Sequence, residues 1–375
     1  MAFQIPKTQK AAVIENPGPK GTIVVKDDVP VSEPGPNEIL VKLEYSGLCR
    51  SEIRALLAWG VYNHIVGHEG IGTVVKAGDD FGKSLLGRRV GVKWLYSACG
   101  NPPEQPCSVC RRGFPNNCPR QRNTGKHVPG TLQQYVIADA RYVTTRIPAG
   151  LASEAAAPLL CAGLTMMGGL AKVDTHVAPA SGGEDDKGGI WVVISGAGGG
   201  LGHLGVQLAS SNRAGRYNVI AIDSGKAKRA LSLDSGAHHF IDYKQSDDDI
   251  EKAVHDITGG EGAHAVLVVS GSEDAFRTAP RLVRNMGIIV SIGLPHNDFT
   301  FPVSASLCSA RSLTVTGVAV DTEQRMEELL ELAASGKVTP AIEVRDFVET
   351  PAIIEQLRTD NVTGRIVVKI PEQAV

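Results

Sequence analysis

A chain of 375 residues exceeds the size at which a single hydrophobic core stops growing, which points to two domains. Its 38 Lys and Arg against 40 Asp and Glu leave a net charge of −2 with histidine neutral, a balance that argues against nucleic acid or an anionic membrane as partner. No 18-residue apolar run and no secretory h-region occur, so a cytoplasmic chain with its seven cysteines reduced is expected.

Residues 8–48 read as short strands separated by Pro/Gly turns, at 11–14, 22–25 and 38–45; the last alternates apolar and polar side chains like a half-buried strand. It leads into Gly47-Leu48-Cys49-Arg50-Ser51-Glu52 and a short helix over 53–57. His68 and Glu69 stand between Gly67 and Gly70 before another strand. Taken alone, such a histidine is more often a packed core or surface group than a ligand. Residues 88–95 form a further strand carrying Trp94.

Four thiols then fall within twenty residues, as Cys99-x7-Cys107-x2-Cys110-x7-Cys118. The pattern matches a structural zinc loop, because Zn²⁺ takes four sulfurs tetrahedrally and needs a short chain to wrap it. A redox dithiol at Cys107 and Cys110 lacks the βαβ surroundings such pairs occupy. Arg111, Arg112 and Arg120 offset the charge of the thiolates. Residues 132–137 read as a strand and 152–169 as a helix, with Cys161 placed like an inert core thiol; 178–189 is a polar, flexible loop.

The apolar β-branched run 190–195 reads as a buried parallel strand, followed by a glycine-crowded turn and an amphipathic helix. Gly196, Gly199, Gly200 and Gly202 form the working set, with one residue more than the usual G-x-G-x-x-G. Such a turn lets backbone approach a pyrophosphate and points a helix N-terminus at it. A second apolar strand over 217–222 delivers Asp223, where an acid would accept hydrogen bonds from the adenosine ribose and repel a 2′-phosphate, favouring NAD over NADP. Strands at 262–269, 287–293 and 312–317, with a helix over 273–285, continue the βα rhythm; a helix over 323–335 and a strand over 364–370 close the chain.

Together these motifs resemble the zinc-containing alcohol dehydrogenases of the medium-chain dehydrogenase/reductase family, the yeast-type fungal branch above all. The resemblance covers residues 10–370. It rests on Gly47-x-Cys49-x-Ser51, Gly67-His68-Glu69-Gly70-x-Gly72, the stretch Gly91 to Leu95, the four-Cys loop, the stretch Leu160 to Thr165, the glycine turn and Gly364-Arg365. It implies an α/β chain: a GroES-like, strand-rich catalytic domain over 1–160, a Rossmann domain with a doubly wound parallel sheet over 161–318, and a segment over 319–375 returning to the first, with the active site in the cleft between domains. It implies a catalytic zinc on Cys49, His68 and Cys161, with Glu69 behind it and able to ligate when water leaves, and a structural zinc on Cys99, Cys107, Cys110 and Cys118. Glu52 would orient His68, where the family has Asp. Gly199, Gly200, Leu201, Asp223 and Lys228 match NAD-binding positions, Phe240, Ser270 and Leu294 the adenine and nicotinamide pockets, and Arg50 and Arg365 the pyrophosphate.

The implied reaction is hydride transfer between an alcohol and NAD⁺, or from NADH to an aldehyde or ketone. Ser51 would take the hydroxyl proton. The histidine that commonly ends this relay is replaced by Arg54, which cannot act as a base at neutral pH, so the relay ends in water or another group, or the enzyme runs mainly as a reductase. The segment between Arg54 and His68 is short, which makes ethanol an unsafe choice of substrate; Trp59 and Trp94 are expected to line the pocket. Family habit implies a homotetramer or homodimer. The alternatives are a zinc-free enone or quinone reductase, against which the three ligands argue, and a noncatalytic zinc- and nucleotide-binding derivative, favoured only by Arg54.

Overall fold

The computed structural model describes residues 3–99, 105–177, 189–210, 217–245, 250–359 and 362–372. They divide into two compact units, Met1–Leu164 with Asp321–Val375, and Thr165–Val320.

The first unit opens with an antiparallel pair, β1 (Thr8–Glu15) and β2 (Thr22–Pro30). Next come β3 (Glu38–Gly47), β4 (Gly70–Ala77), β5 (Arg89–Val92), β6 (Leu95–Ser97), β7 (Arg122–Asn123) and β8 (Tyr135–Asp139). β3 is the organising strand, paired antiparallel along one edge to β4 and over Glu38–Lys42 to β8. Its alternation turns Ile39, Val41 and Leu43 into a core completed by Val74, Val90, Leu132 and Val136. At its far end Ser46 sits opposite Gly70, which sets Cys49, His68 and Glu69 at one end of the sheet.

In the second unit, β9 (Ile190–Ser195), β10 (Tyr217–Asp223), β11 (His239–Asp242), β12 (Ala263–Val268), β13 (Val283–Ser291) and β14 (Thr314–Gly317) form one parallel sheet in the order β11-β10-β9-β12-β13-β14. Helices Gly202–Ser210, Lys226–Asp234, Ile250–Ile257 and Glu273–Leu282 link successive strands, as parallel pairing requires. The central strands are covered on both faces, so their residues are apolar without alternation. Val193, Ile220, Val266 and Ile289 are fully buried, each contributing roughly 1.5–3 kcal/mol. The order reverses at β9, and that switch point is where a doubly wound sheet opens a crevice at its carboxyl edge.

The chain then contributes β15 (Ile342–Asp346) and β16 (Arg365–Lys369) to the first unit, where β16 pairs antiparallel with Tyr45–Gly47 of β3. Gly364 makes this possible with φ of +66°, and the Arg365 amide donates to Ala341 O at 2.8 Å.

Several elements differ from the sequence reading. The helix expected over 152–169 is broken: Ser153–Ala156 runs into a 3-10 turn at Ala157–Leu160, and a new helix, Ala162–His176, leaves at 47°. Pro158 lies in that turn, and Cys161 sits at the break rather than inside a continuous helix. The strand expected over 88–95 is two, because the chain turns at Lys93 and Trp94. Strands β11 and β15 gave no strong apolar signal; the burial of β15 is intermediate or exposed throughout. The expected loop over 178–189 and the insert after Cys99 lie, but for their last residues, outside the described residues. No single described helix is long and apolar enough to cross a membrane; the bent pair around Cys161 has the composition, but its residues Leu159, Leu160, Leu164, Met166 and Leu170 are core.

Candidate metal centres and nucleotide site

β3 ends at Gly47, and the chain turns through Leu48 and Cys49 into the helix Ser51–Leu56. Gly47 N donates to Glu69 O at 3.0 Å and Leu48 N to Ile366 O at 3.0 Å, pinning three segments together. The approach is close enough that a Cβ on Gly47 would lie 2.1 Å from Glu69 Oε2, so a larger residue there would displace the Glu69 carboxylate. The ligand atoms of Cys49, His68, Glu69 and Cys161 all lie within 4.8 Å of one another. His68 and Glu69 are buried, and Cys161 reaches the cluster from the helix break. Two thiols, an imidazole and a carboxylate in one buried pocket are the donor set of a catalytic zinc.

Burial and mutual hydrogen bonding perturb every member of this cluster. The Cys161 thiol beside Cys49 holds Cys49 well below the usual thiol range against its burial, with His68 adding to the effect. The same hydrogen bond, with burial, pushes Cys161 well above that range. Burial alone would lower His68, but Glu52 and Cys49 outweigh it and raise the imidazole. Burial lifts Glu69 to about 7, opposed by Arg365. Arg365, 4% exposed, donates from Nη2 to both Glu69 carboxylate oxygens in a buried ion pair. Arg50, by contrast, is exposed at the start of the helix Ser51–Leu56.

Glu52 spans two ligands. One oxygen lies 3.2 Å from His68 Nδ1, and the other accepts from Cys49 N at 2.7 Å. Donation from Nδ1 leaves Nε2 of His68 for a metal. Trp94 packs edge-on against His68, with ring centroids 5.1 Å apart. A small, water-sized cavity beside these groups is lined by Ser51, Tyr62, Trp94 and Thr124, with Val66, Gly67 and Gly125 completing it alongside Glu52 and His68. Trp59, expected in this wall, is not among the lining residues and instead lies under the Arg54 guanidinium at 5.8 Å. Tyr62 and Thr124 were missed because no motif or spacing marks them.

Cys99, Cys107, Cys110 and Cys118 form the second cluster, with sulfur separations of 3.4 Å for Cys99–Cys118 and 3.7 Å for Cys99–Cys110. Backbone amides aim at it: Cys107 N at Cys99 Sγ (3.3 Å), Cys110 N at Cys107 Sγ (3.5 Å) and Arg120 N at Cys118 Sγ (3.3 Å). The Cys107 amide holds Cys99 at about 6, and the Cys110 amide lowers Cys107. Amides donate to three of the four sulfurs while burial pushes the Cys110 thiol up; four gathered sulfurs fit a closed tetrahedral zinc site, and the seven-residue spacing after Cys99 does not prevent the gathering.

In the second unit, the residues expected at a dinucleotide collect at the carboxyl edge of the sheet. Gly196 follows β9, Asp223 ends β10, Ser270 follows β12 and Leu294 follows β13, while Phe240 lies on β11. Asp223 Oδ2 accepts from Gly198 N at 2.9 Å, and Lys228 Nζ lies 3.2 Å from Oδ1, so this acid joins strand, turn and the next helix. It does not cap that helix, whose N-cap is Gly225. Gly199, Gly200 and Leu201 lead into the helix Gly202–Ser210, whose N-terminal amides supply the positive end. Two glycines are required by close approach: a Cβ on Gly202 would meet Gly196 O at 2.1 Å, and one on Gly198 would meet Lys228 Cβ at 2.4 Å. Gly198 stood outside the expected working set, because its need arises from a residue 30 positions on in the chain.

Comparison with known proteins follows the same lines. The family model described as alcohol dehydrogenase GroES-like domain matches residues 35–149, and that described as zinc-binding dehydrogenase matches 200–335. The chain is 38% identical to alcohol dehydrogenase 2 of Emericella nidulans, covering 98% of this chain and 99% of that one. It is 36% identical to the alcohol dehydrogenase of Schizosaccharomyces pombe, over 98% and 99% of the two chains. Among solved structures, the acetophenone reductase of Geotrichum candidum, in complex with NAD, superposes with a TM-score of 0.79 at 26% identity, over 98% of each chain.

Proposed function

The chain belongs to the medium-chain, zinc-containing alcohol dehydrogenase family, and from that premise we propose that it interconverts an alcohol and an aldehyde or ketone with NAD(H) at the Cys49–His68–Cys161 centre. The observation that carries this is the buried convergence of Cys49, His68, Glu69 and Cys161 within 4.8 Å. When bound there, zinc supplies a Lewis acid that polarises the substrate oxygen, and NAD(H) supplies the hydride acceptor or donor. Cys49, His68 and Cys161 would hold the metal, and Glu69, ion-paired to Arg365, is in reach as a further ligand. Glu52 fixes the His68 tautomer. Ser51 Oγ is buried and has no hydrogen-bond partner, which suits a hydroxyl that exchanges a proton with the substrate oxygen. Arg54 offers no base three residues on, so the proton leaves Ser51 through water or a group other than Arg54.

Cys99, Cys107, Cys110 and Cys118 would hold a structural zinc that closes their loop. Asp223 and Lys228 would meet the adenosine ribose, with the carboxylate favouring NAD over NADP, and the helix starting at Gly202 would meet the pyrophosphate together with Arg50. Phe240, Ser270 and Leu294 would flank the rings. Assembly with further copies is supported by β14, an edge strand with one side unpaired among the described residues and Val315 40% exposed. A reducing compartment such as the cytoplasm keeps the seven free thiols available to metal. The test is NADH oxidation with short aldehydes and ketones: turnover that disappears on chelation and returns with zinc supports the reading. Metal-independent reduction of enones would replace it with the zinc-free reductase.

A further inference from the structure

A tight turn at a helix start leaves backbone amides to be accounted for one by one. In the glycine turn after β9, Gly196 N and Ala197 N donate to Ile222 O at 2.8 and 3.2 Å, Gly198 N to Asp223 Oδ2 at 2.9 Å, and Gly199 N to Gly196 O at 3.3 Å. The next two amides, of Gly200 and Leu201, meet no acceptor among the described residues, and both residues are half-buried. These are the amides the turn offers to an anion. Their direction depends on peptides flanked by Gly198, Gly199, Gly200 and Gly202, the residue type with least backbone restraint. One side chain supplies that restraint. His203, 0% exposed on the first turn of the helix Gly202–Ser210, brings Nδ1 to 2.9 Å from Gly199 O, which also accepts from His203 N at 3.2 Å. A carbonyl oxygen only accepts, so Nδ1 carries the proton here.

We propose that His203 is a positioning residue for the cofactor: its imidazole locks the Gly199–Gly200 peptide so that the Gly200 amide faces the pyrophosphate of NAD(H). This rests on the reading of the turn as the dinucleotide site. In a planar trans peptide the C=O and the following N–H point opposite ways, so drawing Gly199 O toward the buried imidazole turns Gly200 N–H away from the helix. A flip of that one peptide would instead aim a carbonyl at the phosphates, replacing an attraction by a repulsion. The backbone bond from His203 N lies at the start of its helix, where ends fray. The ring adds a shorter bond from a side chain that burial holds in place. A histidine kept only to fill space would be matched by leucine, which has no polar ring to desolvate.

The experiment measures NADH binding to the full-length, zinc-loaded protein by fluorescence, and the binding of ADP-ribose and of adenosine by displacement of NADH. Adenosine shares the adenine and ribose contacts but carries no pyrophosphate. Asparagine places its Nδ2 donor where histidine has Nδ1, whereas glutamine carries its amide one bond further out and leucine has no donor. His203→Leu and His203→Gln should bind NADH and ADP-ribose about tenfold or more weakly, the loss expected for a hydrogen bond to a charged group, with adenosine changed by less than about twofold. His203→Asn should stay within about threefold of wild type for all three ligands. Unchanged ADP-ribose affinity in His203→Leu and His203→Gln overturns this inference alone. An equal loss on adenosine, or weak ADP-ribose binding by His203→Asn, also overturns it, since His203 would then serve the packing of the domain and not one peptide. A wild type that binds neither NADH nor ADP-ribose overturns the dinucleotide reading of the turn and this inference with it. If His203→Leu does not fold, the difference between His203→Asn and His203→Gln decides.

Discussion

Replacing Glu52 by Gln tests how the metal ligands are held. The carboxylate is 1% exposed and accepts from two donors, His68 Nδ1 at 3.2 Å and Cys49 N at 2.7 Å. Glutamine keeps the length but carries one oxygen and one NH₂ group. Whichever way the amide turns, its N–H faces either the Cys49 amide or the His68 Nδ1–H, donor against donor. One buried donor is therefore left unpaired, at about 1–3 kcal/mol, or His68 moves to the tautomer that offers its hydrogen to the metal. At 1.4 kcal/mol per decade, the catalytic zinc should bind roughly 10- to 100-fold more weakly. Glu52→Asp, shorter by about 1.5 Å, reaches only one partner without movement and should fall between wild type and Glu52→Gln. Competition against chelators of graded affinity reads the release of each zinc separately. The step belonging to Cys99–Cys118 should not change. Zinc retention by Glu52→Gln within twofold of wild type would refute the assignment of Glu52 as the group that orients His68.

Gly202→Ala places a Cβ 2.1 Å from Gly196 O and 2.6 Å from Ala197 Cα, so the helix start must move off the glycine turn. NADH should bind about tenfold or more weakly by fluorescence titration with zinc content unchanged, and unaltered NADH affinity would contradict the placement of the turn. Asp79 caps the helix Asp80–Lys83 through Gly82 N at 2.8 Å and accepts from Asn37 N at 2.7 Å; these amides hold its carboxyl below the ordinary 3.8. A depressed folded pKa stabilises above the unfolded value and is lost as pH falls through the folded one. The Tm difference between wild type and Asp79→Ala should therefore be constant at neutral pH and shrink as pH drops below 3.8; a difference that persists there would contradict the cap.

Legibility in the sequence followed locality. The parallel sheet was readable because β9, β10, β12 and the 288–290 part of β13 are largely apolar, a pattern that burial on both faces imposes. The four-Cys loop was readable because its ligands are close in the chain. The other centre was not readable from spacing: Cys49, His68 and Cys161 lie far apart, and only resemblance joined them. Cys161 shows why, since an apolar segment with a lone thiol looks like packing until Pro158 and the 3-10 turn break the helix and bring the sulfur to Cys49. Arg365 joins the buried Glu69 carboxylate in an ion pair across 296 residues of chain that no local pattern records. Gly198 likewise takes its role from a residue brought close only by the tertiary fold.

The most direct measurement is zinc per chain in the purified protein and in Cys49→Ala and Cys107→Ala. Two zinc ions are expected in wild type and one in each variant, with NADH-dependent carbonyl reduction abolished by Cys49→Ala. A single zinc that survives Cys49→Ala would contradict a catalytic metal at Cys49, His68 and Cys161.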